Sequence, residues 1–183
     1  MRLAILGGPG SGKSTQLQRL CIRLGIPGIS VGDILRQAIA SGSFLGRKAQ
    51  PYVESGELIP DDLMIQLMRL RLLQDDARQG WLLEGYPRTA FQAEELDFVL
   101  ADFGQQLERA IYLELDAAIM RERARTRARA DDQAAIIERR IYNFQEQTLP
   151  LLAYYEPRQK LLRADAAQSP AAVEQEILQK LNA

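Results

Sequence analysis

The sequence predicts an α/β fold: a parallel sheet covered by helices on both faces. Three observations carry that prediction. Short apolar runs with few polar breaks, Leu3-Ala4-Ile5-Leu6, Trp81-Leu82-Leu83 and Ala110-Ile111-Tyr112-Leu113, suit strands buried on both sides. Between them lie longer stretches with apolar residues at helical spacing, and strand alternating with helix is the pattern of parallel connections. The first strand runs straight into G-G-P-G-S-G-K-S-T (residues 7–15). Within it Gly7, Gly12, Lys13 and Ser14 fit G-x-x-x-x-G-K-[ST], the phosphate-binding turn between a strand and a helix.

The first helix follows, with Leu17, Leu20, Cys21 and Leu24 on one face and Gly25 as its stop. Ile26-Pro27-Gly28-Ile29-Ser30-Val31 reads as a loop and a short strand. Gly32-Asp33 opens a helix carrying Ile34, Leu35, Ala38 and Ile39, which Ser41-Gly42-Ser43 breaks. Another helix is expected over about 45–55, closed by Gly56. Pro60-Asp61-Asp62 is a helix start, because proline fits the first turn and acids complement its dipole. Leu63, Leu67 and Leu70 carry that helix towards Ala77. After the strand that Gly85 cuts off, a helix from Thr89 bears Phe91, Leu96, Val99 and Leu100. Asp116 starts a helix rich in arginine, and Asp131-Asp132 starts the next. That one presents Ile136, Ile137, Ile141, Phe144, Thr148 and Leu152 on one face, and Pro150 is expected to bend it. Leu161-Leu162 makes a last strand and residues 170–181 a last helix. The stretch 30–59 has helices but no strong strand and reads as an excursion from the sheet.

Composition narrows the possible chemistry. At 183 residues with 46% apolar side chains, one compact core is expected. A net charge of −1 argues against a molecule built to sit on nucleic acid or acidic lipid. The single cysteine, Cys21, lies on the apolar face of the first helix and reads as a small core residue. It allows neither an internal disulfide nor a zinc cluster, which suits a reducing compartment, and a cytoplasmic location is expected. No run approaches the ~20 apolar residues of a membrane span, and no basic leader with a long apolar stretch opens the chain. There is no histidine, so phosphohistidine intermediates, histidine bases and histidine metal ligands are excluded.

The glycines of the first turn let backbone N–H groups face an anion, the helix end adds partial positive charge, and Lys13 adds a full one. This implies a nucleoside triphosphate without naming the reaction. Several arginines stand where a core would not choose them. Arg140 shares an apolar face with Ile136, Ile137 and Phe144, so it has either an internal acidic partner or a phosphate in a cleft. Arg88 follows Gly85-Tyr86-Pro87 directly after a strand, at the carboxyl edge where open α/β folds bind ligands. Arg121, Arg123, Arg125, Arg127 and Arg129 recur at every second residue. On a helix they spread over several faces, with Arg123 and Arg127 sharing one. A solvated basic helix is one reading. A nucleic-acid patch is disfavoured, because no aromatic residues interleave and the charge is local.

Together these residues resemble the adenylate kinases of the nucleoside monophosphate kinase family, in a short-lid form, over nearly the whole chain. The resemblance is carried by G-G-P-G-S-G-K-S-T-Q (7–16), V-G-D-I-L-R (31–36), G-E-L-I-P-D (56–61), E-G-Y-P-R-T (84–89), R-A-D-D (129–132) and Q-T-L-P-L-L-A-Y-Y (147–155). It implies the P-loop NTPase fold with a five-stranded parallel sheet and the reaction MgATP + AMP ⇌ 2 ADP. It divides the single domain into a core of 1–29, 60–125 and 133–183, a monophosphate-binding arm of 30–59 and a very short lid of 126–132.

Carried over by resemblance, Gly10, Ser11, Gly12, Lys13, Ser14 and Thr15 wrap the ATP phosphates, with Lys13 on the transferred group. Arg36 and Arg88 hold the AMP phosphate, with Gly85, Tyr86 and Pro87 in the acceptor site. The backbone of Glu57, Leu58 and Ile59, the side chain of Gln92, and Val31 surround the acceptor adenine. Arg123 lies against the donor adenine, Arg127 on the donor phosphates, and Gln168 offers its carbonyl to the donor base. Arg129 and Arg140 bridge donor and acceptor, and Asp33 and Glu84 hold waters of the magnesium ion. The expected catalytic set is Lys13, Arg88, Arg123, Arg129 and Arg140. ATP, AMP and ADP are the expected partners, magnesium the expected cofactor without zinc, and a monomer the expected state. The assignment is chemically sensible. ATP and AMP bring about six negative charges together, at ~1.5–2 per terminal phosphate, and the cations offset them. Phosphoryl transfer needs alignment and charge stabilisation rather than a covalent nucleophile, so a chain without histidine can perform it.

The sequence departs from the family pattern at several places. Val31 stands where threonine is usual, Ser14 where glycine is usual, and Glu84 where aspartate is usual. Only Ala128 separates Arg127 from Arg129, so little chain covers the donor, and more stray ATP hydrolysis is expected than in a long-lid enzyme. Two other readings stay open at this stage. One is a nucleotide-regulated switch, although no guanine-reading N-K-x-D occurs. The other is a UMP or CMP kinase of the same fold, against which Gln92 argues for adenine.

Overall fold

The computed structural model describes residues 1–126 and 133–182. Its centre is a five-stranded parallel sheet of β1 (Arg2–Leu6), β2 (Gly28–Ser30), β3 (Trp81–Glu84), β4 (Arg109–Glu114) and β5 (Leu161–Asp165), in the order β2-β3-β1-β4-β5. The apolar runs read as strands are indeed sealed on both sides: Leu3, Ala4, Leu82, Leu83, Ala110, Ile111 and Leu113 have no exposed surface. Ile5 pairs with Glu84, and Ser30 pairs with Glu84 from the other side. The carboxyl ends of β1, β2 and β3 therefore lie level, and the loops that leave them open at one edge. The chain moves outward from β1 to β2 and later crosses to β4 on the other side of β1. The edge beside β1 is thus a switch point, where a crevice forms.

Helices flank the sheet. Helix α1 (Lys13–Leu24) packs on β3 and on α9 (Pro170–Leu181). Helix α4 (Asp61–Leu72) packs on α5 (Ala90–Asp102), which meets α8 (Leu151–Tyr155). Helices α2 (Val31–Ala40) and α3 (Phe44–Ser55) form a hairpin outside the sheet, as the missing strand pattern predicted. Side chains cap many of these starts: Ser30 accepts from the Asp33 N–H, Ser43 from Gly46, Thr89 from Gln92 and Ser169 from Ala172. Helices α6 (Ala117–Thr126) and α7 (Ala134–Asn143) lie against each other.

Two local expectations change, and a third has no described residues to meet it. The helix after Pro60 stops at Leu72, and a separate 3₁₀ turn spans Asp75–Ala77. Its buried face is Met64, Met68 and Leu72 at i, i+4 and i+8, whereas Leu70 is exposed. The long helix expected around Pro150 is three pieces: α7, a π turn over Phe144–Thr148, and α8. The Leu149 N–H donates to the Phe144 carbonyl at 2.8 Å, five residues back. Pro150 has no N–H to continue the ladder, so a new helix starts beyond it. The helix start expected at Asp131-Asp132 lies outside the described residues.

Candidate active site

The first turn is shaped by close approach. Gly10 has φ +75°, and a Cβ there would stand 2.7 Å from the Met120 carbonyl oxygen of α6. Both its left-handed backbone and the space demand glycine. The Lys13 ammonium folds back and donates to the Gly8 carbonyl at 2.7 Å. Gly12 caps α1, and its carbonyl accepts from the Gln16 N–H at 2.9 Å. Ser11 is buried and Thr15 exposed.

Beside this turn opens a cleft of about 190 Å³. Lys13, Arg36, Arg88 and Arg140 all line it, although β1, the arm and α7 are far apart in the chain. The Arg88 guanidinium donates to the Gly85 carbonyl at 3.0 Å. It retains accessible surface because the cleft is open, yet protein surrounds it. Desolvation pushes its pKa below the ordinary value, the Glu84 carboxylate raises it, and the Arg140 charge lowers it again. An arginine so placed stays charged and gains from an anionic ligand. Arg36 donates to the Asp33 carboxylate one turn back on α2.

The far wall is apolar. Val31, Leu35, Val53, Ile59 and Met64 line it, and Val31 is 2% exposed. Gln92 is buried at its edge with its amide orientation fixed. Oε1 accepts from the Arg88 backbone N–H at 2.8 Å, and Nε2 donates to Asp61 Oδ1 at 2.7 Å. A carboxylate can only accept, so the nitrogen must face Asp61. Asn143 of α7 holds the chain just after α3: its Nδ2 donates to the Gly56 carbonyl and to Glu57 Oε2, each at 3.1 Å. Arg139 adds an ion pair to Glu57 at 3.3 Å.

Of the residues expected at the acceptor, Val31, Arg36, Glu57, Leu58, Ile59, Gly85, Pro87, Arg88, Gln92 and Arg140 share this cleft. Tyr86 instead points into the core, 2% exposed, and donates to the Gln92 carbonyl at 3.2 Å, so it supports the site from behind. Of the two carboxylates expected near magnesium, Glu84 lines the cleft and Asp33 is exposed beside Arg36. Arg123 lies away from the cleft and donates to the Ala166 and Ala167 carbonyls at 2.7 and 3.2 Å. It therefore joins α6 to the loop that bears Gln168, whose amide donates to Glu176. Its neighbours Arg121 and Arg125 pair instead with Glu138 of α7. Arg127 and Arg129 lie outside the described residues. Among the described residues, no group of three or more acidic or cysteine side chains is arranged to hold a metal ion. No described helix is long and apolar enough to cross a membrane.

The family model described as adenylate kinase matches residues 5–160. An adenylate kinase 2 of Nostoc sp. is 56% identical over 181 residues, spanning 99% of this chain and 98% of the relative. This chain belongs to the adenylate kinase family. An adenylate kinase 2 of Synechocystis sp. is 54% identical over 181 residues, spanning 99% of this chain and all of the relative. An adenylate kinase of Caldicellulosiruptor saccharolyticus is 36% identical over 212 aligned positions, more than the 183 residues of this chain, and 99% of each is covered. That relative therefore carries residues this kinase lacks. The kinase is a phosphotransferase acting on nucleotides: it moves the terminal phosphoryl group of ATP reversibly to AMP, giving two ADP.

Two polar residues, Asn143 in the kinase's cleft wall and Asp61 behind Gln92, were not singled out as binding groups in the sequence. Asp61 reads there as a first-turn acid and the end of the G-E-L-I-P-D motif, with no role assigned, yet it orients Gln92. Asn143 belongs to no quoted motif; its signal is a polar side chain on the apolar face of Ile137, Ile141 and Phe144.

Proposed function

We propose that Lys13, Arg36, Arg88 and Arg140 align the phosphates of donor and acceptor for direct in-line transfer, and that the wall of Val31, Ile59, Met64 and Gln92 receives the acceptor adenine. The observation that carries this is the convergence of four cations from distant segments on one cleft floored by the phosphate-binding turn. Anionic ligands would relieve the mutual repulsion of Arg88 and Arg140, and fixed cations would stabilise charge on the transferring group without reorganising. On this reading the Lys13 ammonium, which donates to the Gly8 carbonyl at 2.7 Å, turns to a phosphate oxygen when nucleotide binds. Arg123 steadies the 166–168 loop behind the donor base, and Gln168 offers its carbonyl there. Arg127 and Arg129 complete the donor side by resemblance. With so short a lid at 126–132, ATP hydrolysis without AMP is expected to exceed that of longer relatives.

Glu84 fits a place beside magnesium: its Oε2 is shielded from solvent and accepts no hydrogen bond among the described residues. Magnesium keeps several of its waters, so Glu84 and Asp33 would meet it through water. When bound, the ion neutralises phosphate charge and fixes the geometry of the triphosphate.

The discriminating experiment replaces Lys13 by methionine. Turnover with ATP and AMP is expected to fall by about 10³-fold or more, because a charge on the transferred group is lost. Circular dichroism should be unchanged. Coupled assays with AMP, CMP, UMP and GMP should give AMP as the preferred acceptor. A preference for CMP would overturn the adenine reading, and undiminished turnover of the variant would overturn the role of Lys13.

A further inference from the structure

Ser14 is the second residue of α1, and Glu84 is the last of β3, 70 positions further on. The Ser14 hydroxyl donates to Glu84 Oε1 at 2.9 Å. Glu84 Oε2 is buried without a hydrogen-bond partner among the described residues. The carboxylate lies on the cleft with Lys13 and Arg88, and its charge is felt at Arg88. A glutamate has one more rotatable bond than an aspartate, so its carboxylate needs an anchor before it can present an oxygen in one direction. The hydroxyl supplies that anchor on one oxygen and leaves the acceptor capacity of the other unmet. A buried acceptor without a donor is costly, and a ligand that brings a donor removes the cost.

We propose that Ser14 is a positioning residue for Glu84: its hydroxyl fixes Oε1 so that Oε2 receives a water of a divalent cation carried in on the nucleotide phosphates. The inference rests on the outer-shell reading of Glu84 given above. It assigns the Ser14 hydroxyl a role through Glu84 rather than on a phosphate oxygen. Serine and glutamate then work as a matched pair.

The test is calorimetric binding of ATP in excess Mg²⁺ and, separately, in EDTA. The proteins are the full chain, Ser14→Ala, Ser14→Thr, Glu84→Gln and the Ser14→Ala/Glu84→Gln double variant. Ser14→Ala is expected to weaken binding of the magnesium complex about tenfold, the scale of one charge-assisted hydrogen bond, and to weaken binding in EDTA clearly less. Ser14→Thr should restore it, since the hydroxyl returns. The double variant should bind no more weakly than Glu84→Gln alone, because residues that act as one unit are not additive. Losses that multiply in the double variant would overturn the proposal, as would equal weakening by Ser14→Ala with and without magnesium. If Glu84→Gln leaves the magnesium dependence intact, the outer-shell reading fails and takes the proposal with it. If Glu84→Gln matters and Ser14→Ala does not, only the proposal fails. Thermal unfolding of each variant identifies any loss that comes from misfolding.

Discussion

Replacing Arg88 by alanine should separate function from stability. Among the described residues the guanidinium donates one hydrogen bond, to the Gly85 carbonyl at 3.0 Å. It is desolvated by the cleft walls and repelled by Arg140, and the Glu84 carboxylate partly offsets both. Removing it gives up a neutral-acceptor hydrogen bond worth about 1 kcal/mol and relieves an electrostatic cost. The unfolding temperature should therefore move by no more than about 3 °C in either direction. With AMP bound, the same group is proposed to make two charge-assisted hydrogen bonds to one phosphate, each worth about 1.5–3 kcal/mol. Taking the lower figure for both gives about 3 kcal/mol, or roughly a 10²-fold loss of kcat/KM for AMP. KM for ATP should change by less than about threefold, since the contact is to the acceptor. The assay is steady-state ADP formation with AMP varied at saturating ATP, paired with a thermal melt. A fall of many degrees in the melt with KM for AMP untouched would refute the reasoning and make Arg88 a structural ion-pair partner.

Three further outcomes follow from the same geometry. Asn143→Ala removes the bonds that hold Gly56 and Glu57 to α7, and KM for AMP should rise about 5–10-fold with KM for ATP unchanged. Asn143→Asp should be worse than alanine despite its closer shape, because it sets a second carboxylate against Glu57; titration with AMP distinguishes the two. Val31→Thr puts a hydroxyl into a wall that is 2% exposed. The kcat/KM ratio of AMP over CMP should rise, while denaturant melts show a loss of about 1–2 kcal/mol for the buried hydroxyl. Glu176 of α9 accepts from the Asp165 N–H of β5, from the Gln168 amide, and from Lys180 one turn on in its own helix. The hydrogen bond from Lys180 holds its carboxyl below the ordinary 4.5, against the effect of burial. A depressed carboxylate contributes stability that is present above the unfolded value and lost as pH falls through the folded one. Glu176→Gln should thus lower the unfolding temperature at neutral pH, and the difference should vanish in acid below the folded value.

Much of this molecule could be read without coordinates because its signals are local. A fully buried parallel strand must be apolar at every position, so Leu3-Ala4-Ile5-Leu6 and Trp81-Leu82-Leu83 announced themselves. Helix ends were equally legible where one residue settles them, as Gly25 and Gly56 do by adopting φ +65° and +76°. The helix around Pro150 was not legible to the same degree. Proline forbids one hydrogen bond, but residue type does not say how the ladder gives way; the chain answers with a π turn whose Phe144 and Thr148 line the cleft.

The phosphate-binding turn, the absence of histidine and the ordered motifs determined the kind of chemistry, because residue type and spacing alone fix a loop that can cradle an anion. Tertiary structure decided which charges meet. Arg140 shares an apolar helix face in the sequence, and the fold brings it to the same cleft as Lys13, Arg36 and Arg88. Arg121, Arg123 and Arg125 are alike in sequence, yet two turn to Glu138 and one to the 166–167 carbonyls. The pairing of Ser14 with Glu84, and of Asp61 with Gln92, also required the sheet register and the α4–α5 contact. A hydrogen bond depends on position to a fraction of an ångström, and residues tens of positions apart acquire that only when the core between them has packed.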